Sequence, residues 1–494
     1  MSYAQTVLTT LIVYQLVLIG IGFVASRRTR DEGDFLLGGR SLGPWVASLS
    51  AAASSSSAWS LIGVAYMAYK TGLGAVWIFP ATVGGFAFNW FVLAGPLRRL
   101  SRKQRSLTAT ELLALDGSGN KRRSICWLAT ILILVAFMSY VSAQYQAAGL
   151  AFQSNFEMSP VLSILVGAGI ILIYTLLGGF WAVSLTDTLQ GILMALVAIL
   201  LPCVALVEVG GPGELLRGLE ALPEGARFLS LTADKGFPIG LGLILGFLGI
   251  GLGYPGQPHV VNRFMAMEDA RGVRVGRRIT MVWAVILYGG MLLLGWAGRV
   301  LYPSIADAET LLFVSARDLL DPVLAGIVVA ALLSAVMSTA DSQLLVAASS
   351  ISHDLRRGPT SVSVMLKTRL VVVIVSVLAV VFALTWPEKI FDKVLSAWSA
   401  LGAAFGPLLI VRALLGPISE RGTLWAMGVG FSTSLTIYFL RKSGLAAESA
   451  LLSDWGMALE YGLSFGLASV IALFSCDRQA GSAASPDTPG DTTP

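Results

Sequence analysis

The sequence is poor in charge, cysteine and histidine, and each deficit excludes a class of protein. Only 13% of the 494 residues are charged, about half the share of a soluble domain. The three cysteines have no paired spacing, so neither a disulfide framework nor a zinc site is predicted. The two histidines form no H-E-x-x-H or similar cluster. With no catalytic constellation present, we predict neither an enzyme nor a bound organic cofactor.

Long apolar runs fill the chain instead. Hydrophobic residues make up 55% of the sequence, and the mean hydropathy is +0.76. As helices, runs of about 17–25 residues cross a hydrocarbon layer of about 30 Å. The runs are continuous rather than alternating, which excludes a β-barrel. We predict an all-α polytopic membrane protein with about 13 transmembrane helices, at about 6–26, 43–69, 72–95, 124–152, 158–178, 188–209, 237–258, 279–302, 322–352, 370–386, 390–411, 423–440 and 455–476.

The basic residues are distributed unevenly between the two sides of this arrangement. The net charge of +5 could indicate a nucleic-acid partner, but the loops predicted inside carry 24 of the 34 Lys and Arg residues. An excess of basic residues marks cytoplasmic loops. We therefore predict a protein of the inner membrane, surrounded by lipid and without a nucleic-acid partner, with its N-terminus outside and its C-terminus in the cytoplasm. The outer loop 210–236 is predicted to hold a short surface helix at Glu214–Ala221.

Four consecutive serines, Ser54 to Ser57, lie near the middle of the predicted span 43–69. Their hydroxyls, and carbonyls freed by local unwinding, can bind a hard cation where the backbone lines a cavity. The alternative is close helix packing, with each hydroxyl bonded to a carbonyl one turn earlier. We favour the cation site because a second polar island, Ser334–Ser342, lies deep in another apolar span.

The second island presents hydroxyls at helical spacing. Ala335, Ser338 and Thr339 share one stripe of the predicted helix. Sodium is a hard cation that takes about five or six oxygen ligands. Hydroxyls of Ser338 and Thr339, with carbonyls of Ala335, Ala53 and Ser56, would supply such a set. The two islands together predict a sodium site.

Two carboxylates lie near these islands, and each has two interpretations. Asp341 is either deep in the membrane, where it needs a partner, a cation or a proton, or solvated at the cytoplasmic end of its helix. Asp187 precedes the predicted span 188–209 as a helix N-cap, with Thr186 as the alternative cap, or it is a second sodium ligand or a carboxylate on the entry path. The cap is favoured unless this helix end packs against 338–342.

The segment Gly249–Pro258 predicts a second broken helix, because it holds four glycines and two prolines. Its G-x-G-x-x-G pattern lies inside a membrane span, so a dinucleotide site is rejected. Broken helices in corresponding positions of two halves indicate the central site of a transporter. The breaks fall on core helices 1 and 6, which predicts a LeuT-type five-plus-five inverted repeat. The predicted divisions are an extra helix and loop (1–42), a ten-helix core (43–411, repeats 43–209 and 237–411), two further helices (412–476) and a disordered tail (477–494).

The chain resembles the sodium/solute symporter family, and most strongly its sodium/proline symporters, over residues 5–475. The resemblance implies a sodium-coupled symporter that imports a small solute, L-proline first, by alternating access. The motifs that carry it are LGGRSLGP (37–44), GGFWAVSLTDTLQ (178–190), GLGYPGQPH (251–259), RFMA (263–266) and AVMSTADSQLL (335–345).

The resemblance also implies roles for particular residues. It implies that sodium is the coupling ion and that Arg40 acts as a gating residue at the inner mouth. The implied sodium ligands are Ala53, Ser56, Ala335, Ser338 and Thr339; the implied second sodium or coupling region holds Asp187, Asp341, Ser342, Ser55 and Ser57; the implied substrate contacts are Tyr140, Tyr254 and Pro258.

Two positions depart from the proline-symporter pattern. Ser55 stands where those proteins usually carry Asp, and Ile250 stands where they commonly carry Trp. The first change removes a carboxylate from the sodium path, and the second removes an aromatic wall from the pocket. Another amino acid or a small organic solute is therefore the alternative substrate. A membrane sensor or a channel that resembles a transporter is the alternative from a different functional class. The absence of a signalling domain argues against a sensor, and the absence of a repeated pore-loop motif argues against a channel.

Overall fold

The computed structural model describes residues 1–26, 31–116, 119–177, 179–356, 363–443 and 449–477, and each named element within them is a helix. The α-helices are α1 (Tyr3–Ser26), α2 (Glu32–Leu37), α3 (Pro44–Ser55), α4 (Val64–Thr71), α5 (Ile78–Ala87), α6 (Ala94–Gln104), α7 (Ala109–Ala114), α8 (Arg123–Phe156), α9 (Pro160–Leu177), α10 (Phe180–Val209), α11 (Pro212–Glu220), α12 (Gly225–Leu229), α13 (Ile239–Gly249), α14 (Pro258–Ala266), α15 (Ala270–Leu301), α16 (Leu311–Leu319), α17 (Pro322–Ser349), α18 (Ser363–Thr385), α19 (Ile390–Leu414), α20 (Glu420–Lys442) and α21 (Ala450–Phe474).

Eleven helical segments of the described residues are long and apolar enough to cross a membrane, which agrees with the predicted class. The predicted boundary between the spans 43–69 and 72–95 coincides with Gly72, where the backbone is not helical (φ 61°, ψ −139°). Helix α3 ends at Ser55, one helical stretch then runs from Trp59 to Thr71, and helical structure continues after Gly72 to Gln104. The number 13 is not confirmed, because α3 and α9 are shorter than the eleven segments and because the two stretches between Trp59 and Gln104 are counted together.

Several helices begin earlier than their apolar runs. Helix α15 begins after Asp269, whose carboxylate accepts a hydrogen bond from the Gly272 amide at 2.6 Å. The apolar run marks only the part of a helix within the hydrocarbon layer, whereas an N-cap marks where the helix starts. The predicted surface helix in the outer loop is confirmed as α11. The predicted disordered tail lies, from residue 478 onward, outside the described residues.

Two helices form the interior of the bundle. In the most apolar window of α19, 94% of the residues are buried, and for the segment Pro322–Asp354, which contains α17, the share is 83%. The corresponding share is 22% for α1, which therefore lies at the lipid-facing periphery. The serines and the threonine of α17 are thus held inside the protein.

Both predicted helix breaks are confirmed. After Ser55 the backbone leaves the helical region at Ser56 (φ −119°, ψ 79°), and helical structure resumes from Ala58. Helix α13 passes into a tight 3₁₀ segment, Ile250–Gly256, before α14 starts with Pro258 in its first turn. Proline suits that position because the first amides of a helix lack internal acceptors.

The two broken helices are joined by their main chains at one end. The Leu42 amide donates to the Ala266 carbonyl at 3.2 Å, and the Glu268 amide donates to the Leu42 carbonyl at 3.2 Å. These bonds hold the residue before α3 beside the end of α14. The two broken helices are consequently connected to each other by hydrogen bonds between their main chains.

Candidate functional site

The break in α3 leaves one carbonyl oxygen without its normal helical partner. In an unbroken helix the Ala58 amide would bond to Ser54 O, but it donates instead to Gln144 Oε1 of α8 at 3.1 Å. The Ser54 oxygen is bonded by Thr339 Oγ1 of α17 at 3.1 Å, and it lies 3.2 Å from His259 Nε2 of α14. Three separate helices thus converge on an unwound, buried main-chain oxygen, which is the kind of ligand a hard cation uses.

The five predicted sodium ligands are all buried on the two sides of this junction. Ser338 Oγ donates to Ala335 O at 3.3 Å, and the Ser56 amide donates to Ala53 O at 3.1 Å. A carbonyl oxygen has two lone pairs, so Ala53 O keeps one for another contact, whereas Ala335 O also accepts the helical hydrogen bond of α17. Thr339 reaches the break through Ser54, a residue that lies between the predicted ligands Ala53 and Ser56.

Asp187 is the anionic partner of a second polar cluster. Its Oδ2 accepts hydrogen bonds from Ser50 Oγ at 2.7 Å, Ser54 Oγ at 3.1 Å and Arg263 Nη2 at 3.1 Å. Asp187 lies in the second turn of α10, whose N-cap position is Gly179, and its side chain is fully buried. The N-cap interpretation of Asp187 is therefore wrong.

Asp341 and Ser342 of α17 face the same cluster. Arg263 Nη2 bonds to Ser342 Oγ, which also lies 3.2 Å from Asp341 Oδ1. Asp341 is fully buried, so its interpretation as a solvated residue is wrong. Asp341 Oδ2 and Asp187 Oδ1 are buried without a hydrogen-bond partner among the described residues. Buried carboxylate oxygens in this condition need a positive charge or a proton.

Ser55 and Ser57 lie apart from the Asp187 cluster. Ser55 Oγ donates to Ala51 O of its own helix at 2.8 Å, which is the packing interpretation of the serine run. Ser57 Oγ accepts from Tyr140 OH at 3.3 Å. The structure therefore brings Asp187, Asp341 and Ser342 together and leaves these two serines outside their hydrogen bonds.

Aromatic side chains fill the centre between the two breaks. Tyr254 OH lies 3.1 Å from Tyr288 OH, and the Tyr254 ring packs 4.7 Å from Trp398 and 4.9 Å from Phe86, measured between centroids. Trp59 packs on Tyr288 at 5.7 Å, and its buried Nε1 has no acceptor among the described residues. An unpaired buried donor amid aromatic rings is typical of a ligand-binding pocket.

The aromatic wall missing at Ile250 is supplied by another helix. Trp398 of α19 donates from its indole nitrogen to Ile250 O at 3.0 Å. Its ring meets the Tyr254 ring at 81° in an edge-to-face arrangement. The substitution at Ile250 thus leaves Tyr254 with an aromatic neighbour. Pro258, the third predicted substrate contact, is buried at the start of α14.

Arg40 lies away from the central residues described so far. Its Nη1 donates to Ser101 Oγ at 2.8 Å, and its Nη2 donates to Ser106 O at 2.7 Å. These bonds tie the segment after α2 to the last turn of α6 and to the residues that follow it. Arg40 thus joins these two segments rather than contacting the central residues.

Sequence reasoning missed Ser50, Ser54, His259 and Arg263 as members of the site. His259 and Arg263 are fully buried although they border a charged segment, because α14 turns back into the protein after the break. The signal for Arg263 was present: it falls on one stripe of α14 with His259, and it donates to His259 O at 2.6 Å. An ionisable residue beside a broken membrane helix is a functional candidate in itself.

Comparison with known protein families identifies the family of this chain. The model of the sodium:solute symporter family matches residues 35–430. The chain belongs to this family. Sodium:solute symporters are transporters rather than enzymes, with sodium as the coupling ion, and this member is a multi-pass protein of the inner membrane.

Relatives and solved structures agree with the assignment. The symporter is 33% identical over 458 residues to the sodium/proline symporter of Escherichia coli K12, covering 90% of this chain and 89% of the relative. It is 34% identical over 424 residues to the high-affinity proline transporter PutP of Bacillus subtilis 168, covering 84% and 88%. A Na⁺-coupled sialic acid symporter matches with a TM-score of 0.74 at 19% identity, over 97% and 100% of the chains. The structure of MhsT matches at 0.53 with 15% identity, over 87% and 98%. The LeuT-type fold is thereby confirmed.

Proposed function

We propose that this symporter imports L-proline together with sodium. The observation that carries the proposal is the junction at Ser54 O, where Thr339 of α17 meets the break in α3 beside a buried cluster of aromatic side chains. The substrate class is supported by the proline-transporter relatives, which cover most of their own length and of this chain.

In this proposal Ala53, Ser56, Ala335, Ser338 and Thr339 bind the coupling sodium. The carbonyls and hydroxyls offer oxygen ligands without a full negative charge, so the empty site is tolerable in the membrane. Sodium would draw the broken α3 towards α17 and favour the conformation that holds substrate. The second region is proposed to consist of Asp187, Asp341 and Ser342, with Ser55 and Ser57 as neighbours along the path.

The substrate is proposed to lie among Tyr140, Tyr254 and Pro258. The apolar ring of proline would pack on the aromatic side chains, and its charged groups would meet the free ends of the broken helices. The unpaired Trp59 indole N–H is a further donor for the carboxylate. Arg40 is proposed to act on the inner gate through its bonds to Ser101 and Ser106.

Alternating access follows from two repeats, proposed as 43–209 and 237–411, that rock around this site. The remaining proposed parts are the N-terminal segment 1–42, the C-terminal helices 412–476 and the tail 477–494. The N-terminus is proposed to lie outside and the C-terminus inside.

Sodium coupling supplies enough free energy to concentrate the solute. One charge crossing about 100 mV releases about 2.3 kcal/mol. A tenfold sodium gradient adds about 1.4 kcal/mol, so accumulation of roughly several hundredfold is attainable.

Uptake into proteoliposomes tests the function. We expect labelled proline to accumulate when an inward sodium gradient is imposed, and to fail to do so with lithium or protons alone at the same membrane potential. A panel of other amino acids and small organic solutes serves as the comparison. Uptake that is indifferent to sodium would contradict the coupling, whereas sodium-driven uptake of another solute without proline would contradict only the substrate.

A narrower prediction concerns Ser338. We expect Ser338→Ala to raise the sodium concentration for half-maximal uptake about tenfold, because one ligand to a cation is lost. The maximal rate at saturating sodium should change little. Ser432→Ala is the control, since Ser432 lies on the apolar helix α20 and donates to Gly428 O of the same helix at 2.7 Å. If both variants show the wild-type sodium dependence, Ser338 is not a ligand.

A further inference from the structure

A cluster of charged side chains lies on the side of the molecule that holds Arg40, and the proposed transport function does not involve it. Histidine 353, just after α17, lies between two carboxylates: its Nδ1 is 2.6 Å from Glu32 Oε1 and its Nε2 is 3.0 Å from Glu111 Oε1. Glu32 belongs to α2 and Glu111 to α7. One imidazole ring therefore connects three segments that are distant in sequence.

The geometry fixes the protonation of His353. A carboxylate only accepts hydrogen bonds, so both ring nitrogens must donate, and only the imidazolium does so. Removing one proton would turn one nitrogen lone pair towards a carboxylate oxygen. The contact would change from a charge-assisted hydrogen bond to a repulsion.

Both carboxylates are held ionised. Burial alone would raise the pKa of Glu111, but the hydrogen bond and charge of His353, together with Lys121, lower this pKa to about 2. Burial likewise opposes ionisation of Glu32, and His353 and Arg356 lower its pKa. Both groups are consequently acceptors while His353 is protonated.

The other groups facing His353 complete a balanced set. Arg356 bonds to both oxygens of Glu32 at 3.0 Å, and Lys121 lies 2.9 Å from Glu111 Oε1. Asp354 Oδ1 accepts from Thr108 Oγ1 at 2.8 Å and lies 3.9 Å from Lys121 Nζ. Three acids thus meet two permanent cations, and a protonated His353 balances the charges when all three acids are ionised. The thiol of Cys126 on α8 is a further titratable group near Asp354.

A small cavity lies next to the cluster, towards the central site. It lies between the cluster and the Asp187 region, and its walls include Leu36, Thr108, Arg263, Ser342 and Ser349. Its volume is about 10 Å³, room for about one water. Thr108 forms part of this wall and also bonds to Asp354 in the cluster. Separation of α2 and α7 from the end of α17 would open this cavity to the surface.

We propose that Glu32, Glu111, Lys121, His353, Asp354 and Arg356 form a proton-dependent inner latch, which holds the path to the coupling site closed and releases it when His353 loses a proton. In the orientation proposed above the latch faces the cytoplasm. Acidification there would hold the inner gate shut, and a rise in pH would favour inward opening. The inference does not depend on the identity of the transported solute.

Thiol labelling of a cavity residue tests the latch. Ser349→Cys is made in a background in which Cys126, Cys203 and Cys476 are replaced, and the protein is studied in nanodiscs so that both faces are accessible. We compare the labelling rate with that of the same protein carrying His353→Gln, which cannot become charged. Because the two proteins share one thiol, its own pH dependence cancels in the ratio.

At about pH 6 we expect His353→Gln to label about fivefold faster than the parent, and at about pH 8.5 the ratio should fall towards one. Glu32→Gln, which removes the partner on α2, should also label fast at the lower pH. Glu268→Gln, an exposed acid on a neighbouring loop, is the matched control and should behave as the parent.

A ratio near one at the lower pH, or a ratio unaffected by pH, overturns the latch. Glu32→Gln keeps the test decisive if His353→Gln does not fold, because it must then show the same loss of pH dependence. Glu111, His353 and Asp354 also offer ligand atoms within 4.8 Å of one another. If added Zn²⁺ rather than pH controls labelling, the cluster is a metal site and the proton-dependent latch is wrong.

Discussion

Replacing Arg263 by Ala is expected to abolish sodium-driven uptake and to destabilise the protein by about 3–5 kcal/mol. Arg263 is the only cation among the described residues that bonds to Asp187, and both side chains are fully buried. Its removal leaves Asp187 as an uncompensated charge in a region with little water. Thermal unfolding in detergent measures the loss of stability, and proteoliposome uptake measures the loss of transport.

A double variant separates charge balance from packing. Asp187, Asp341 and Arg263 together carry one negative charge when both acids are ionised. Arg263→Ala with Asp187→Asn keeps that balance through Asp341 alone, so we expect it to recover much of the stability. Arg263→Lys keeps the charge but not the forked donors that reach Ser50 and Asp187, and should recover less transport than stability. A single variant as stable as the parent would show that the pair has no such role.

Replacing Gly253 by Ala is expected to disrupt the central packing. An added Cβ would lie 2.0 Å from Trp398 Nε1, and Gly253 also approaches Gly402 of α19 closely. Neither neighbour can move freely, because the Trp398 indole is bonded to Ile250 O and the facing glycine is backbone. Overpacking of this kind costs about 1–3 kcal/mol or more.

The measurement is thermal unfolding together with uptake. We expect a lower unfolding temperature and strongly reduced uptake, since the collision displaces the ring that packs on Tyr254. Gly462→Ala on α21 is the matched control, because an added Cβ there meets no atom within 4 Å. Equal unfolding temperatures for the two variants would contradict the close approach.

The sequence alone was sufficient to predict the all-helical class and both helix breaks. Apolar runs of membrane-spanning length leave few alternatives, and the serine run and Gly249–Pro258 each break a helix for a local reason. The meeting of the two polar islands follows from their hydroxyls within apolar spans, and Thr339 contacts Ser54 O; sodium binding by these residues stays a prediction. These inferences depend on composition and on spacing within one segment.

What could not be predicted depends on contacts between distant segments. Asp187 was taken for a helix cap because its apolar run begins late, whereas the helix begins eight residues earlier than that run. Arg263 shares a helical stripe with His259 beside the second break, but its pairing with Asp187, 76 positions away, is not contained in any local pattern. His353 bonds to two residues about 240 and 320 positions away, a relationship that no local pattern contains.

The main-chain link between Leu42 and the segment Ala266–Glu268 has a consequence for how this transporter can diversify. It consists of amide and carbonyl groups, which every residue except proline can provide. Packing limits the buried side chains of Leu42 and Ala266, but the hydrogen bonds that join the two half-helices do not depend on which side chains are present. Related transporters could therefore differ widely in their substrate sites and still keep this connection between the two half-helices, because main-chain atoms form it.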